Sequence, residues 1–285
     1  MTDAFKAACV QNCAGPDMTA TIARSVDLVH KARDKGADLI ALPEFFSCLH
    51  VGEGGLETGA VAEADHPALP IYQKVAQDTG AWIMLGSLGI NDGGARLRNR
   101  TFVMSPDGEI AARYDKIHMF DVELGNGESY RESDRFEPGT EAVVTSTPFG
   151  QVGLSICYDL RFAYLYRSLA HAGAQILAIP AAFMRTTGQA HWHTLCRARA
   201  IETGCYVIAP CQSGEHGRAV TYGHSLIIDP WGEVLADGSG ENEDVIIAEI
   251  DLNNVDVARA KVPALNHDRD YQNPDAANLT LKAGE

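Results

Sequence analysis

Short apolar runs alternate along this chain with longer stretches in which apolar residues recur every three or four positions. That pattern predicts strands over 5–11, 38–42 and 82–90, and helices over 19–35 and 69–79. The first helix begins behind Asp17, a capping residue type, and stops at Gly36; the second stops at Gly80. Two further strands, over 100–104 and 110–115, flank Ser105-Pro-Asp-Gly108, a hairpin turn signal. The second part of the chain repeats the order. It gives a strand over 152–156, a helix over 162–172, a strand over 175–179, a helix over 191–203 and a strand over 206–211. A hairpin of 223–228 and 233–236 follows, around Asp229-Pro-Trp-Gly232.

The halves also agree in detail. Asp38-Leu-Ile-Ala-Leu-Pro43 parallels Gln175-Ile-Leu-Ala-Ile-Pro180, and Asp78-Thr-Gly-Ala-Trp-Ile-Met84 parallels Glu202-Thr-Gly-Cys-Tyr-Val-Ile208. We read an α/β fold of two similar units related by a pseudo-two-fold axis. Each unit alone leaves one apolar sheet face uncovered. Packing the two sheets face to face, with helices outside, gives a four-layer α-β-β-α sandwich. Residues 1–262 are expected to form one domain. Residues 263–285 turn polar and irregular and read as a tail, either mobile or laid across a partner subunit.

The formal net charge is -15. No basic patch is available to neutralise phosphates, which argues against nucleic acid and against an anionic membrane surface. The seven cysteines are odd in number, irregularly spaced and without a Cys-x-x-Cys pair, as reduced thiols would be. The amino terminus carries no apolar signal core, and no run reaches the length of a membrane span. A soluble cytoplasmic protein is expected.

Three strand ends carry unexpected chemistry. Cys157 closes the run Val152-Gly-Leu-Ser-Ile-Cys157, Glu44 follows Leu39-Ile-Ala-Leu-Pro43, and Lys116 follows Ala111-Ala-Arg-Tyr-Asp115. A nucleophile, a base and a cation at strand ends form the kind of site α/β enzymes use. A thiol attacks only as thiolate, so Cys157 needs a base or cation beside it; the helix starting near Phe162 could also help. Glu44 is the general-base candidate, since a carboxylate behind a buried strand is costly without a partner. Lys116, in unusually apolar company for a surface loop, would favour the thiolate and hold an oxyanion. Against these stand plainer readings: a buried thiol, a surface carboxylate and an exposed lysine. Glu132, in Tyr130-Arg-Glu-Ser133, reads from spacing alone as solvated. No metal site is expected, because His191 and His193, two apart on a helix, do not share a face. A papain-like Cys–His pair is the rival for Cys157, but none of the ten histidines is singled out and the papain-type context is absent.

Leu42-Pro-Glu-Phe45, Tyr114-Asp-Lys-Ile-His118 and Ile156-Cys-Tyr-Asp-Leu-Arg-Phe162 resemble the three signature segments of the nitrilase superfamily of carbon–nitrogen hydrolases. The resemblance runs from Ala8 to about Pro263. It implies the α-β-β-α sandwich, a Glu44–Lys116–Cys157 site, a second glutamate at Glu132, and an oxyanion hole from Lys116 and the Tyr158 backbone amide. Tyr158-Asp159 is similar to amidase-type members, where true nitrilases usually carry Trp-Glu. Arg197-Ala-Arg-Ala-Ile-Glu202 and Tyr222-Gly-His-Ser225 resemble the Nit branch, which includes amidases of deaminated glutathione and of ω-amides. In that branch the arginine at Arg161 can hold a substrate carboxylate; Phe183 and Thr187 complete the expected substrate-binding set. One departure is Arg161-Phe-Ala-Tyr164, where the branch commonly continues Arg-Phe-Pro-Glu. The resemblance implies a cysteine-dependent amidase for a small, carboxylate-bearing amide, with no cofactor, working as a homodimer or higher homo-oligomer. Alternatives are a nitrilase or N-carbamoyl amide hydrolase on the same site, and a non-catalytic binding protein on the same fold.

Overall fold

Alternate residues of the first strand, β1 (Ala4–Gln11), belong to two different cores. Ala7 and Cys9 pack towards the middle of the molecule, whereas Ala8 and Val10 pack under helices. Successive side chains leave a strand on opposite faces, so the unbroken buried apolar run Ala7–Val10 means a sheet covered on both sides. The computed structural model, which describes residues 4–125 and 128–272, shows what covers them.

The first half continues with α1 (Met18–Asp34), β2 (Leu39–Ala41), a small hairpin of β3 (His50–Gly52) and β4 (Gly55–Glu57), α2 (Ala68–Thr79), β5 (Trp82–Ile90), β6 (Arg98–Met104) and β7 (Ile110–Asp115). A second small hairpin, β8 (Asp121–Gly125) and β9 (Glu128–Arg131), leads into the second half. There follow β10 (Val144–Thr147), β11 (Gly150–Leu154), α3 (Ala163–His171), β12 (Ile176–Ala178), α4 (Arg185–Thr203) and β13 (Tyr206–Ala209). The chain ends in β14 (Ser213–His216), β15 (Ala219–Tyr222), β16 (Leu226–Ile228), β17 (Val234–Asp237), β18 (Asp244–Asp251) and α5 (Asn253–Lys261).

Two six-stranded sheets result, ordered β18-β1-β2-β5-β6-β7 and β10-β11-β12-β13-β16-β17. Each has three parallel central strands, an antiparallel pair on one side and one antiparallel edge strand on the other. The inner faces share one core that joins Leu39, Met84 and Val103 of the first sheet to Val152, Ile176 and Ile228 of the second. Helices α1 and α2 cover the outer face of the first sheet, and α3 and α4 that of the second. This is the expected four-layer sandwich with its internal duplication. The two-fold breaks at the edge strands. β10 is supplied locally, but its counterpart β18 arrives from the far end of the chain.

Asp17 caps α1 by accepting the Ala20 amide at 3.0 Å, as its residue type predicts. Helix α4 begins at Arg185, earlier than expected at 191. Thr186, Thr187 and Gly188 are weak helix formers, but the helix lies hard against β15 there. A Cβ on Gly188 would stand 2.4 Å from the Tyr222 ring, so packing overrides propensity. The start of the expected tail is docked rather than loose. Arg167 donates to the Ala264 carbonyl at 2.9 Å, and Asp268 pairs with Arg167 and His171. The expectation for 273–285 lies outside the described residues.

Candidate active site

Glu44, Lys116 and Cys157 stand just beyond β2, β7 and β11, and the fold brings these strand ends together. Behind β2 the chain turns sharply, with Phe45 at φ 52° and its amide held by Ser87 Oγ at 3.1 Å. The turn needs a bare neighbour, since a Cβ on Gly86 would lie 2.0 Å from the Pro43 carbonyl oxygen. Cys157 itself sits at φ 48°, a left-handed conformation unfavourable for a residue with a side chain. It opens a 3-10 turn, Cys157–Arg161, and its amide donates to the Pro180 carbonyl at 2.9 Å. Among the described residues no acceptor takes the Tyr158 N–H.

Asp159 locks this arrangement. Fully buried, it accepts the Tyr114 hydroxyl at 2.6 Å, the Ile156 amide at 2.9 Å, and the His118 amide and Nδ1 at 3.0 and 2.7 Å. One carboxylate thereby ties the cysteine turn to the segment carrying Lys116. The His118 ring in turn stacks on Phe162 at 3.6 Å.

Lys116 is buried, and its ammonium bridges two carboxylates. Nζ donates to Glu44 Oε1 at 2.9 Å and to both Glu132 oxygens at 2.9 and 2.8 Å. Asn99 Nδ2 donates to Glu44 at 2.9 Å and Glu132 at 3.3 Å. The Ala182 amide donates to the second Glu44 oxygen at 2.9 Å, and the Phe120 amide to Glu132 at 2.6 Å. Glu132 is only 8% exposed, so its solvated reading from spacing is corrected: its partner lies across the fold, outside the reach of local sequence.

Burial opposes the charge of Lys116, but Glu132 and Glu44 outweigh it and hold the ammonium well above its usual range. Burial raises the Glu132 carboxyl, as does the Glu44 charge, with Lys116 opposing both. Cys157 is pushed well above its ordinary range, first by burial and then by the charge of Glu44. The Lys116 charge pulls the other way without reversing this. The cysteine is therefore a thiol at rest. Lys116 favours the thiolate, as expected, but burial and the Glu44 charge outweigh it.

These groups lie in a cleft of about 810 Å³. Tyr158, Phe183 and Thr187 line it; Arg161 does not. The Arg161 guanidinium sits 5.7 and 5.5 Å from the centres of the Tyr158 and Phe183 rings and 3.4 Å from His191 Nδ1. It makes no pair with Asp159, whose oxygens are taken by other donors. The arginines on the cleft wall are Arg131, Arg135, Arg185 and Arg218, all exposed. Sequence reading missed these, and missed Asn99 and the anchoring role of Asp159. Asp159 alone left a signal, as a charge next to an apolar strand end.

The family model for carbon-nitrogen hydrolases matches residues 6–260. A deaminated glutathione amidase of Synechocystis sp. is 40% identical over 269 residues, covering 92% of this chain and 97% of that protein. Omega-amidase NIT2-A of Xenopus laevis is 37% identical over 261 residues, covering 91% and 93%. The crystal structure of the C. elegans NitFhit protein superposes with a TM-score of 0.84 at 34% identity, over 94% of this chain and 66% of that one.

Proposed function

The chain belongs to the carbon–nitrogen hydrolase family, and from that premise we propose how it works as a cysteine-dependent amidase and on what. The observation that carries the reading is the buried Glu44–Lys116–Glu132 network beside Cys157 at the floor of a cleft.

The Glu44 carboxylate takes the Sγ proton as Sγ attacks the amide carbonyl carbon. Proton transfer in concert with attack suits a thiol that is neutral at rest. The developing oxyanion is met by the Lys116 ammonium and the Tyr158 N–H. Protonated Glu44 passes its proton to the leaving nitrogen, which departs as ammonia or amine and leaves a thioester on Cys157. Water then attacks the thioester. Glu44 takes a proton from that water and returns one to Sγ, releasing the carboxylic acid. Glu132 grips Nζ with both oxygens and so fixes where the ammonium stands.

The substrate we propose is a linear amide carrying a carboxylate. Arg131, Arg135, Arg185, Arg218 and Lys116 line the cleft against Glu44, Glu128, Glu132 and Asp134, a local excess of one cation in a protein of net charge -15. The arginines replace Arg161 as the carboxylate-holding candidates, and guanidinium groups suit planar carboxylates. Deaminated glutathione and ω-amides of dicarboxylic acids both fit this chemistry and a cleft of this size. The test is a panel of deaminated glutathione, α-ketoglutaramate, a neutral aliphatic amide, an N-carbamoyl amino acid and an aliphatic nitrile. Ammonia or amine release should favour the carboxylate-bearing amides by at least about tenfold in kcat/KM, the low end of a charge-assisted contact. Equal rates on the neutral amide, or preference for the nitrile, would overturn the assignment.

Residues 1–262 form the proposed catalytic domain. The chain is taken to act in the cytoplasm, in keeping with seven free cysteines, and as a homo-oligomer. Exposed Ile201, Trp231 and Val262, which border one groove, support self-association. Light scattering that showed an active monomer at micromolar concentration would refute it.

A further inference from the structure

Away from the cleft, three elements converge their metal-binding side chains on one point. His193 comes from α4, His224 from the turn between β15 and β16, and Asp237 from the end of β17. His193 Nε2 stands 3.0 Å from Asp237 Oδ2, and His224 Nδ1 stands 2.9 Å from Oδ1. One ligand atom from each residue lies within 4.8 Å of the other two. Tetrahedral ligands on bonds of about 2.1 Å stand about 3.4 Å apart, between the 2.9 and 3.0 Å of the hydrogen-bonded pairs and the 4.8 Å within which the three ligand atoms fall, so small side-chain shifts would admit a cation.

The cluster is also held in shape. His224 adopts φ 52°, a left-handed backbone that turns its ring towards Asp237. Its carbonyl accepts the Trp192 indole N–H at 2.7 Å, next to His193, and its amide donates to Ser239 at 3.2 Å. Arg197 Nε donates to the Gly232 carbonyl at 2.8 Å, pinning α4 against the β16–β17 turn. The three side chains are 34%, 29% and 38% exposed, enough for a cation to reach them and to keep water in a fourth position.

We propose that His193, His224 and Asp237 form a binding site for a divalent transition cation of the zinc class. Two imidazoles and one carboxylate select such ions over magnesium or calcium, which prefer oxygen throughout. The site lies outside the set of cleft-lining residues and supplies nothing to amide hydrolysis. A bound ion would clip α4 to the β16–β17 hairpin. It would do so directly behind Trp192, whose ring packs 5.0 Å from that of Phe183 on the cleft wall.

The test is zinc titration of the whole protein against a chromophoric chelator, with thermal melts in parallel. Wild type should take up one zinc ion per chain and melt higher with zinc, but not with magnesium. Cys157→Ala should behave like wild type, which excludes capture by that thiol. His193→Ala and Asp237→Asn should weaken uptake by at least about tenfold, the low end of what losing a partner that merely orients a ligand costs a metal site. Both should lose the rise in Tm, and both should hydrolyse amide at the wild-type rate in chelator. His193 is half-exposed on a helix surface, where alanine is well tolerated. No uptake at micromolar zinc, uptake unchanged in either variant, uptake lost in Cys157→Ala, or an equal Tm rise with magnesium would each overturn the proposal.

Discussion

Replacing Asp159 with asparagine changes no volume, yet it should damage both stability and turnover. Asp159 is fully buried and accepts four hydrogen bonds, two on each oxygen. Asparagine puts an NH2 group where one oxygen was. Turned one way, that group faces the Ile156 amide and the Tyr114 hydroxyl. Turned the other way, it faces the His118 amide and ring. The hydroxyl can rotate and the ring can change tautomer, but neither backbone amide can become an acceptor. Either orientation therefore opposes two donors and strands a buried N–H. Losing the backbone amide's bond to a charged acceptor, about 1.5–3 kcal/mol, and stranding a buried N–H, about 1–3 kcal/mol, gives a total of about 2.5–6 kcal/mol. Urea unfolding should show that loss as a lower midpoint with an unchanged slope. Turnover measured well below the melting temperature should also fall, in kcat more than in KM, because the same carboxylate positions Cys157 and the Lys116 segment. A loss under about 1 kcal/mol with kcat intact would refute the argument that Asp159 holds the two segments in register.

Glu44→Gln should lower kcat by at least about a hundredfold, since an amide cannot take the thiol proton; near wild-type turnover would contradict the base role. Glu132→Gln should leave the proton acceptor in place and cost less, with the loss mainly in kcat as the Lys116 ammonium drifts. His66 is buried, its Nδ1 accepts the Ala68 amide, and its Nε2 finds no partner among the described residues. Burial pushes its pKa down from 6.5 to about 4. The unfolded chain binds a proton below 6.5 that the folded chain refuses, so this contribution is intact above pH 6.5 and is lost as pH falls towards about 4. The full loss is about 3 kcal/mol. Unfolding free energies from pH 7 to 4 should show a shallower slope in His66→Leu than in wild type; identical slopes would sink the assignment.

The sandwich was legible because strands buried on both faces read as unbroken apolar runs, and the duplication because those runs recur in order. Glu44, Lys116 and Cys157 were legible as charges or thiols abutting such runs. Glu132 looked solvated because the partner that neutralises it reaches it only through the fold. β18 was missed because it is an edge strand rich in acidic residues, one that becomes a strand by pairing with β1 far away in sequence. The early start of α4 was hidden because a tertiary contact at Gly188 decides it. Arg161 carried a motif but not a position: its guanidinium packs behind the cleft wall, and four exposed arginines from three separate segments take the cleft-facing places. His193 paired on paper with His191, its neighbour in sequence. In the fold its partners come from the β16–β17 region.

The central claim is that the reaction passes through a thioester on Cys157. Rapid acid quench of enzyme mixed with excess of a slowly hydrolysed amide, followed by intact-protein and peptide mass spectrometry, tests it most directly. The account predicts one added mass equal to the amide minus ammonia or its amine, removable by hydroxylamine, on the peptide that contains Cys157, and none in Cys157→Ala. Turnover without any adduct, or an adduct on another of the seven cysteines, would contradict it.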